Sequence, residues 1–332
     1  MIAQKTLKNS VRATGVGLHS GRQVELRIIP AAADSGIVFR RTDVSGSQTD
    51  QAIKACASNV ADTDMSTTLS NGVVRVATVE HLMAAFAGLG IDNATVELNA
   101  AELPIMDGSA APYVFLLQAA GLVTQGKPRT FLRILQDVQY VEGDSSVKLE
   151  PYAGIQMSYT LAFDHPAFRD QIPSVTLELG ELGGSGRQVA MASERFEKVF
   201  IKEVCRARTF GFLEDIDRLR ARNLAQGGSL DNAVVMDSVG IMNVDGLRQK
   251  DEFAKHKILD AIGDLYLLGR PIIGAFTGHK TGHRANNALL RLLLADPTNF
   301  ETITLSGPSP SSPSPSSPSP SSWASSLADE ML

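Results

Sequence analysis

Alternating apolar and polar residues in the first third of the chain predict short β-strands separated by turns. Three segments combine this period of two with β-branched residues, namely 24–29, 36–41 and 94–99. Two helices are predicted among these strands. The first begins at Thr78, a residue type that caps helix N-termini, and ends at Gly88 or Gly90. The second has Pro112 near its start and Gly121 at its end.

A second group of strand patterns follows, at 131–135, 138–141, 147–150 and 155–161. Helical patterns come after these strands, near 210–222, 250–268 and 284–295. Both halves of the chain therefore place strands before helices. This order indicates an α+β fold and disfavours a doubly wound parallel sheet.

The short polar segment 123–129 is interpreted as a linker between two domains. An N-terminal α+β domain would occupy residues 1–125, and a C-terminal α+β domain residues 130–305. Residues 308–322 are three copies of Pro-Ser-Pro-Ser-Ser, a composition that offers little to a core. The low-complexity tail 306–332 is therefore expected to be disordered and to lie outside the fold.

The helix predicted at 250–268 carries a polar stripe on an otherwise apolar surface. At about 100° per residue, His256, Asp260 and Asp264 share one narrow face. Such a helix should be buried, and burying a histidine with two carboxylates is costly unless they are paired, hydrogen-bonded or bound to a metal. The i, i+4 spacing of His256 and Asp260 lets both side chains reach one tetrahedral ion. An ordinary hydrogen bond has the same spacing, so this helix alone leaves both interpretations open.

Glu80 and His81 lie in the first turn of the first predicted helix, where backbone N–H groups favour a nearby anion. His81 would complete a set of three metal ligands with His256 and Asp260. Catalytic zinc sites combine three protein ligands with one open position, and Glu80 would then be free to act as the base for water. In the alternative interpretation, Glu80 only complements the helix dipole and His81 packs or caps.

A glycine-flanked loop at 278–287 contributes two more histidines, His279 and His283. Its glycines allow a tight backbone that projects a side chain into a cleft. A histidine in that position can be the general acid for a leaving amine. A solvated surface loop is the alternative, and spacing alone does not choose between the two histidines.

Composition limits the classes of function. The 332 residues, 43% hydrophobic and 20% charged, suit a globular protein of one large or two modest domains. A formal charge of −5 gives no general attraction to nucleic acid, so no nucleic-acid partner is expected. Cys56 and Cys205 form no Cys-x-x-Cys motif, which argues against a disulfide framework and a cysteine-based zinc site. No signal-peptide core and no run of roughly 18 apolar residues is present, so a cytoplasmic protein without a transmembrane segment is expected.

Eight longer motifs occur along the chain, at residues 15–21, 65–69, 78–82, 88–93, 104–109, 206–212, 256–260 and 278–283. On these motifs, the chain closely resembles the UDP-3-O-acyl-N-acetylglucosamine deacetylases, the zinc amidases of bacterial lipid A synthesis. The resemblance covers about residues 1–305. It implies two α+β domains of similar topology, each a sheet with helices, with the helices sandwiched between the two sheets.

The resemblance also implies roles for individual residues of the catalytic centre. The three zinc ligands would be His81, His256 and Asp260. Glu80 matches the general base and His283 the catalytic histidine. Thr209 matches a hydroxyl that assists the polarised acyl oxygen, and Asp264 matches a residue hydrogen-bonded to the catalytic histidine.

Substrate contacts are implied at a second group of residues. Lys257 matches a substrate-binding residue, and His19 would meet the nucleotide-sugar end. Phe210, Phe212 and Asp215 fall in an insert that shelters the acyl chain. The chain departs from the family pattern in three places: Thr281 stands where serine is common, the segment 170–198 is longer than usual, and the Pro/Ser tail replaces a less repetitive C-terminus.

The expected activity is therefore zinc-dependent hydrolysis of the 2-acetamido group of UDP-3-O-(3-hydroxyacyl)-N-acetylglucosamine, which releases acetate in an early committed step of lipid A biosynthesis. A monomer is expected, and a transient contact with a membrane surface is compatible with the acylated substrate. Two alternatives stay open: a metallohydrolase for another amide, and a non-catalytic binding protein with a structural zinc ion, which would need four protein ligands.

Overall fold

Two large mixed β-sheets, three small sheets and several helices make up the described part of the chain in this computed structural model, which describes residues 2–162, 165–168, 174–181 and 194–305. The predicted α+β class is confirmed. The tail 306–332, for which disorder is predicted, and much of the segment 170–198 lie outside the described residues. Within the described ranges, no helix is long and apolar enough to cross a membrane.

The first half of the chain begins with strands and ends with a strand that returns to its start. The strands are β1 (Ala3–Leu7), β2 (Val11–Val16), β3 (Gln23–Pro30), β4 (Ile37–Arg41), β5 (Ala52–Lys54), β6 (Val60–Asp62), β7 (Thr68–Ser70), β8 (Arg75–Val76), β9 (Ala94–Leu98) and β10 (Leu122–Pro128). The helices are α1 (Glu80–Leu89) and α2 (Ala111–Ala120), and a 3₁₀ turn spans Ala57–Asn59.

The second half has a similar composition of elements. Its strands are β11 (Thr130–Ile134), β12 (Val138–Glu142), β13 (Ser145–Glu150), β14 (Gly154–Thr160), β15 (Ser174–Glu181), β16 (Phe210–Phe212), β17 (Val234–Met236), β18 (Ile272–His279) and β19 (Phe300–Thr304). Its helices are α3 (Ile216–Ala221), α4 (Glu252–Leu265) and α5 (His283–Ala295). A π-helical segment spans Phe200–Val204, and 3₁₀ turns span Pro166–Phe168, Leu213–Asp215, Tyr266–Leu268 and Pro297–Asn299.

The two large sheets share one strand topology. The first has the order β2-β3-β9-β4-β5, and the second contains the order β12-β13-β18-β14-β15, with β11 and β19 added beside the start of β18. In both orders the successive pairs are antiparallel, antiparallel, parallel and antiparallel. In both halves one helix precedes the central strand and another follows it. The predicted pair of similarly folded halves is therefore confirmed.

The helices α1 and α4, which precede the two central strands, pack against each other in the interior. Every residue of α1 except Ala87 is buried, and every residue of α4 except Lys257 is buried. One continuous apolar core includes side chains from both sheets and from α1, α2, α4 and α5. The two helices approach closely at Gly263, where a Cβ atom would overlap the backbone carbonyl of Glu80. Position 263 therefore requires glycine, because no side chain fits between the two helices.

The predicted ends of two helices are confirmed, and one predicted start is wrong by a residue. α1 ends at Gly90, whose φ of 70° is left-handed, and α2 ends at Gly121. The N-cap of α1 is Val79, whereas Thr78 lies outside the helix with a φ of 58°. The Thr78 hydroxyl donates to the Glu102 carboxylate at 3.2 Å, so a tertiary contact replaces the predicted cap.

Two other predictions of local structure are corrected. Residues 123–129, interpreted as a linker, lie largely in β10, which pairs antiparallel with β1. The pairing explains why a polar segment is a strand and not a linker, because an edge strand with one exposed side can be polar.

The helix predicted near 210–222 is instead the strand β16, a 3₁₀ turn and the short helix α3. β16 pairs parallel with β17, and each residue of β16 pairs with the residue 24 positions further along, as in Phe210 with Val234. Local patterning does not reveal a partner at this distance. The domain boundary itself stays a prediction.

The crossing of α1 and α4 predicts a destabilised variant. In Gly263→Ala, a methyl group would occupy the position of the Glu80 carbonyl, and the helices must separate. We expect the free energy of unfolding to fall by about 1–3 kcal/mol, the usual cost of overpacking, although alanine gains up to ~1 kcal/mol in helix propensity. Chemical denaturation measures this change. Gly126→Ala in β10 is the control, since a Cβ atom there meets nothing within 4 Å. Unchanged stability of Gly263→Ala would contradict the close approach.

Candidate active site

Two histidines and one aspartate from the two central helices converge in the interior. His81 lies in the first turn of α1, and His256 and Asp260 lie on consecutive turns of α4. Their ligand atoms all lie within 4.8 Å of one another. The Nε2 atoms of His81 and His256 are 3.5 and 3.4 Å from Asp260 Oδ1. We call these three residues the metal cluster, because the packing of α1 on α4 gives them the donor atoms and spacing that a metal ion requires.

The chemistry of the cluster fits a bound cation. Asp260 Oδ1 is buried and has no hydrogen-bond partner among the described residues, although it faces two imidazoles. The Nδ1 atom of His256 lies 3.0 Å from the Ala207 carbonyl. A carbonyl only accepts, so Nδ1 carries the proton and Nε2 presents a lone pair to the cluster. A cation would satisfy these groups together.

The charge states in the cluster also suit a metal ion. Burial lowers the pKa of His256 to about 4, so the ring is neutral at neutral pH. Burial opposes ionisation of Asp260, but the neighbouring His256 and Lys257 hold its pKa well below the ordinary value. Lys257 Nζ lies 2.8 Å from Asp260 Oδ2, and this contact raises the lysine pKa despite burial. Neutral imidazoles and an ionised carboxylate are the forms that bind metals.

Glu80 lies beside the metal cluster without belonging to it. Its Oε2 accepts a hydrogen bond of 3.0 Å from the backbone N–H of Thr67. Its Oε1 lies 3.9 Å from Nε2 of His283. The Glu80 side chain is buried, and burial raises its pKa above the ordinary value. A carboxylate with a raised pKa is a stronger base than an exposed one.

His283 is the first residue of α5, and its ring lies beside the Glu80 carboxylate. Its Nδ1 lies 2.8 Å from Asp264 Oδ2, on the third successive turn of the polar stripe of α4. Burial alone would lower the pKa of His283, but Asp264 and Glu80 outweigh it and raise the pKa to about 9. The ring is therefore protonated at neutral pH and can donate a proton from Nε2.

A cleft of about 440 Å³ opens over these groups. Eight of the predicted site residues line it: Glu80, His81, Thr209, Phe210, His256, Lys257, Asp260 and His283. Apolar side chains from both halves also line the cleft, among them Leu18, Met65 and Ile105. His279 lies at the end of β18 outside this lining, so the fold brings His283 to the site in preference to His279.

Four predicted site residues lie outside the lining of the cleft. Asp264 is behind His283, as described above. His19 is buried; its backbone N–H donates to Glu102 at 2.8 Å, and its Nε2 has no partner among the described residues. Phe212 packs its ring against His165 and Phe168, and Asp215, the N-cap residue of α3, pairs with Arg218. The substrate-binding roles of His19, Phe212 and Asp215 stay predictions.

Sequence patterns missed three residues that support the site. Thr67 bonds Glu80 and Asp264, Asn286 Nδ2 donates to Asp264 at 2.8 Å, and Glu102 accepts the backbone N–H groups of His19 and Ser20. Thr67 lies in the motif at 65–69, but no role was assigned to it from sequence. The other two are polar residues whose partners are distant in sequence, and periodicity does not identify such pairs.

Two histidines and a carboxylate beside a free carboxylate, in a cleft between two α+β halves, are the arrangement of a metal-dependent hydrolase. Comparison with known proteins specifies the family. The profile of the UDP-3-O-acyl N-acetylglycosamine deacetylases (LpxC) matches residues 4–295, and the chain belongs to this family.

Three relatives with high identity are all named UDP-3-O-acyl-N-acetylglucosamine deacetylase. The protein of Pseudomonas entomophila is 53% identical over 303 residues, which cover 91% of this chain and 94% of the relative. That of Thioalkalivibrio sulfidiphilus is 51% identical over 312 residues, or 94% of this chain and 96% of the relative. That of Marinobacter nauticus is 53% identical over 304 residues, or 92% and 94%.

Metal content separates the ligands from the base. We expect His256→Ala and Asp260→Ala each to lose most of the bound metal, because each removes a donor atom, whereas Glu80→Ala should retain it. Elemental analysis of the purified variants gives the ratio of metal to protein. Loss of metal in Glu80→Ala alone would reverse the assignment of base and ligand.

Proposed function

We propose that this protein hydrolyses the 2-acetamido group of UDP-3-O-(3-hydroxyacyl)-N-acetylglucosamine and releases acetate, with zinc as its metal, as an early committed step of lipid A biosynthesis. The observation that carries the proposal is the position of the Glu80 carboxylate, which shares a cleft with the metal cluster but is no part of it. The names of the three relatives support the choice of substrate.

Zinc is the proposed metal because two imidazole nitrogens and one carboxylate oxygen form a common catalytic zinc set. When bound, a zinc ion would supply Lewis acidity that polarises an amide carbonyl and lowers the pKa of water. His81, His256 and Asp260 would hold it. Lys257 keeps Asp260 ionised through their 2.8 Å contact, so this carboxylate needs no proton loss on binding.

Side chains of the protein transfer the protons and stabilise the developing charge. Glu80 takes a proton from water while the water oxygen attacks the amide carbon. Negative charge then develops on the carbonyl oxygen, where the Thr209 hydroxyl and protonated His283 can stabilise it. His283 gives its proton to the amide nitrogen as the C–N bond breaks, which yields acetate and the free amine. Thr209 is held at the cleft by two backbone hydrogen bonds of 2.8 Å, from its N–H to Gly108 and from Val234 N–H to its carbonyl.

The protonation states needed for this division arise from the surroundings. Glu80 receives its one described hydrogen bond on Oε2 from a backbone amide, so a proton added to Oε1 leaves that bond intact. His283 keeps its proton because Asp264 accepts from Nδ1 and the Glu80 charge lies 3.9 Å from Nε2. The acid and the base thus stabilise each other's reactive forms before the substrate binds.

The two alternatives make different demands on the site. A structural zinc ion requires four protein ligands, and within the described residues the cluster supplies three. A hydrolase for a simpler amide would have no use for the apolar residues of the cleft, which include Leu18, Met65 and Phe210. Lys257 at the cleft is suited to an anionic nucleotide sugar.

The monomeric state, the cytoplasmic location and the transient membrane contact stay predictions from sequence.

The contribution of the acyl chain tests the choice of substrate. Each methylene that becomes buried in the apolar part of the cleft contributes ~0.8 kcal/mol of binding free energy. We expect removal of the acyl chain to lower kcat/KM by several orders of magnitude, measured as acetate release from the acylated and unacylated UDP sugars. Equal turnover of the two would favour the generic amidase.

The pH dependence tests the division between base and acid. Glu80 must be deprotonated, and its pKa is raised, so kcat/KM should fall on the acidic side at a pH above the ordinary 4.5 of glutamate. His283 must be protonated, so kcat/KM should fall as the pH rises through about 9. Glu80→Gln should remove most activity and the acidic limb, and His283→Gln should lower the rate and flatten the basic limb.

Two controls accompany this profile. Metal content must be constant across the variants, because water on a metal also titrates near neutrality. His279→Gln is the matched histidine control, since His279 lies outside the lining of the cleft. If His279→Gln loses activity and His283→Gln keeps it, the acid has been assigned to the wrong histidine.

A further inference from the structure

Thr67 forms hydrogen bonds with Glu80 and Asp264, the two carboxylates of the site that lie outside the metal cluster. Its backbone N–H donates to Glu80 Oε2 at 3.0 Å, and its hydroxyl donates to Asp264 Oδ1 at 2.6 Å. Its carbonyl accepts the backbone N–H of Val79, the residue before Glu80, at 3.2 Å. Thr67 therefore connects the start of α1, which carries the base, with the turn of α4 that holds His283.

Thr67 does not itself meet the substrate. Its side chain is 2% exposed, and it is not part of the lining of the cleft. We propose that Thr67 is a positioning residue, whose hydroxyl fixes the Asp264 carboxylate and through it the catalytic ring of His283. The inference rests on the function proposed above, because it concerns the geometry of the same base and acid.

The Asp264 carboxylate is oriented by three hydrogen bonds. Asp264 Oδ2 accepts from His283 Nδ1 and from Asn286 Nδ2, each at 2.8 Å. The last torsion of an aspartate side chain is broad, so these two bonds leave the plane of the carboxylate free to tilt. The Thr67 hydroxyl holds the opposite oxygen and removes this freedom. Without it, Oδ1 is a buried acceptor with no partner, and the carboxylate gains by turning away from His283.

The two connections of Thr67 can be separated by substitution. The bond to Glu80 comes from the backbone and survives any change of side chain, apart from proline. The bond to Asp264 comes from the hydroxyl and is lost in Thr67→Val, which keeps nearly the same shape. A defect in Thr67→Val therefore reports the path through Asp264 to His283, and the contact with the base is retained.

The test compares Thr67→Val with Thr67→Ser in the zinc-loaded enzyme. We expect Thr67→Val to lower kcat about 10- to 100-fold, the usual effect of removing a group that orients a catalytic side chain, with KM changed less than about threefold. Zinc content should equal that of the wild type. Thr67→Ser keeps the hydroxyl and should restore kcat to within about threefold of the wild type.

Thr6→Val is a matched control for the loss of a buried threonine hydroxyl. Thr6 is buried in β1 and is not part of the lining of the cleft, and its hydroxyl donates to the Asn93 carbonyl at 2.7 Å. This variant should lose stability and keep kcat. In an Asp264→Ala background, Thr67→Val should change kcat by less than about threefold, because the group through which it acts is gone.

The outcomes are distinct. Full kcat in Thr67→Val, an equal loss in Thr67→Ser or an equal loss in Thr6→Val would each overturn the positioning role. If Thr67→Val does not fold, Thr67→Ala carries the same expectation. If the wild type itself releases no acetate, the proposed function fails. The role of Thr67 is then judged from the ¹⁵N shifts of the His283 ring, which must change in Thr67→Val and not in Thr67→Ser.

Discussion

The site depends on the close crossing of α1 and α4. Each helix belongs to a different half of the chain, and each is buried along almost its whole length. Gly263 has no side chain, so the backbone of α4 lies directly against the Glu80 carbonyl. This contact places Glu80 and His81 from one half beside His256 and Asp260 from the other. Neither helix alone presents all three residues of the metal cluster.

Three carboxylates are buried at this crossing, and each is stabilised in a different way. Asp260 accepts a hydrogen bond of 2.8 Å from Lys257, whose positive charge favours the ionised form of the carboxylate. Asp264 accepts from a hydroxyl, an amide and an imidazole. Glu80 has a backbone amide and, at 3.9 Å, the ring of His283. Burial is costly for a charge with so few partners, and it raises the pKa of Glu80 above the ordinary value. That property suits a base and would be a defect in a metal ligand.

Local signals in the sequence predict the α+β class and part of the metal cluster, whereas the similar topology of the two halves is implied by the resemblance to the deacetylase family. The polar stripe of α4, with His256 and Asp260 one turn apart, follows from helical periodicity. The signals that failed depend on distant partners. Residues 123–129 are polar because they form an edge strand beside β1, and Thr78 bonds Glu102 where a cap was predicted. Thr67 lies almost two hundred residues from Asp264, and no pattern in either segment indicates their bond.

The repeated topology explains why the site lies between the halves, and the differences between the halves explain its chemistry. After the central strand of each sheet the chain enters a second helix, α2 in one half and α5 in the other. α5 begins with His283, which faces the cluster. The loop before α2 has a structural role: Asp107 pairs with Arg248 at 2.9 Å, and the Gly108 carbonyl accepts the backbone N–H of Thr209. The two equivalent loops therefore differ in what they contribute: one leads into His283, the proposed acid, and the other holds Thr209, for which we propose contact with the developing negative charge.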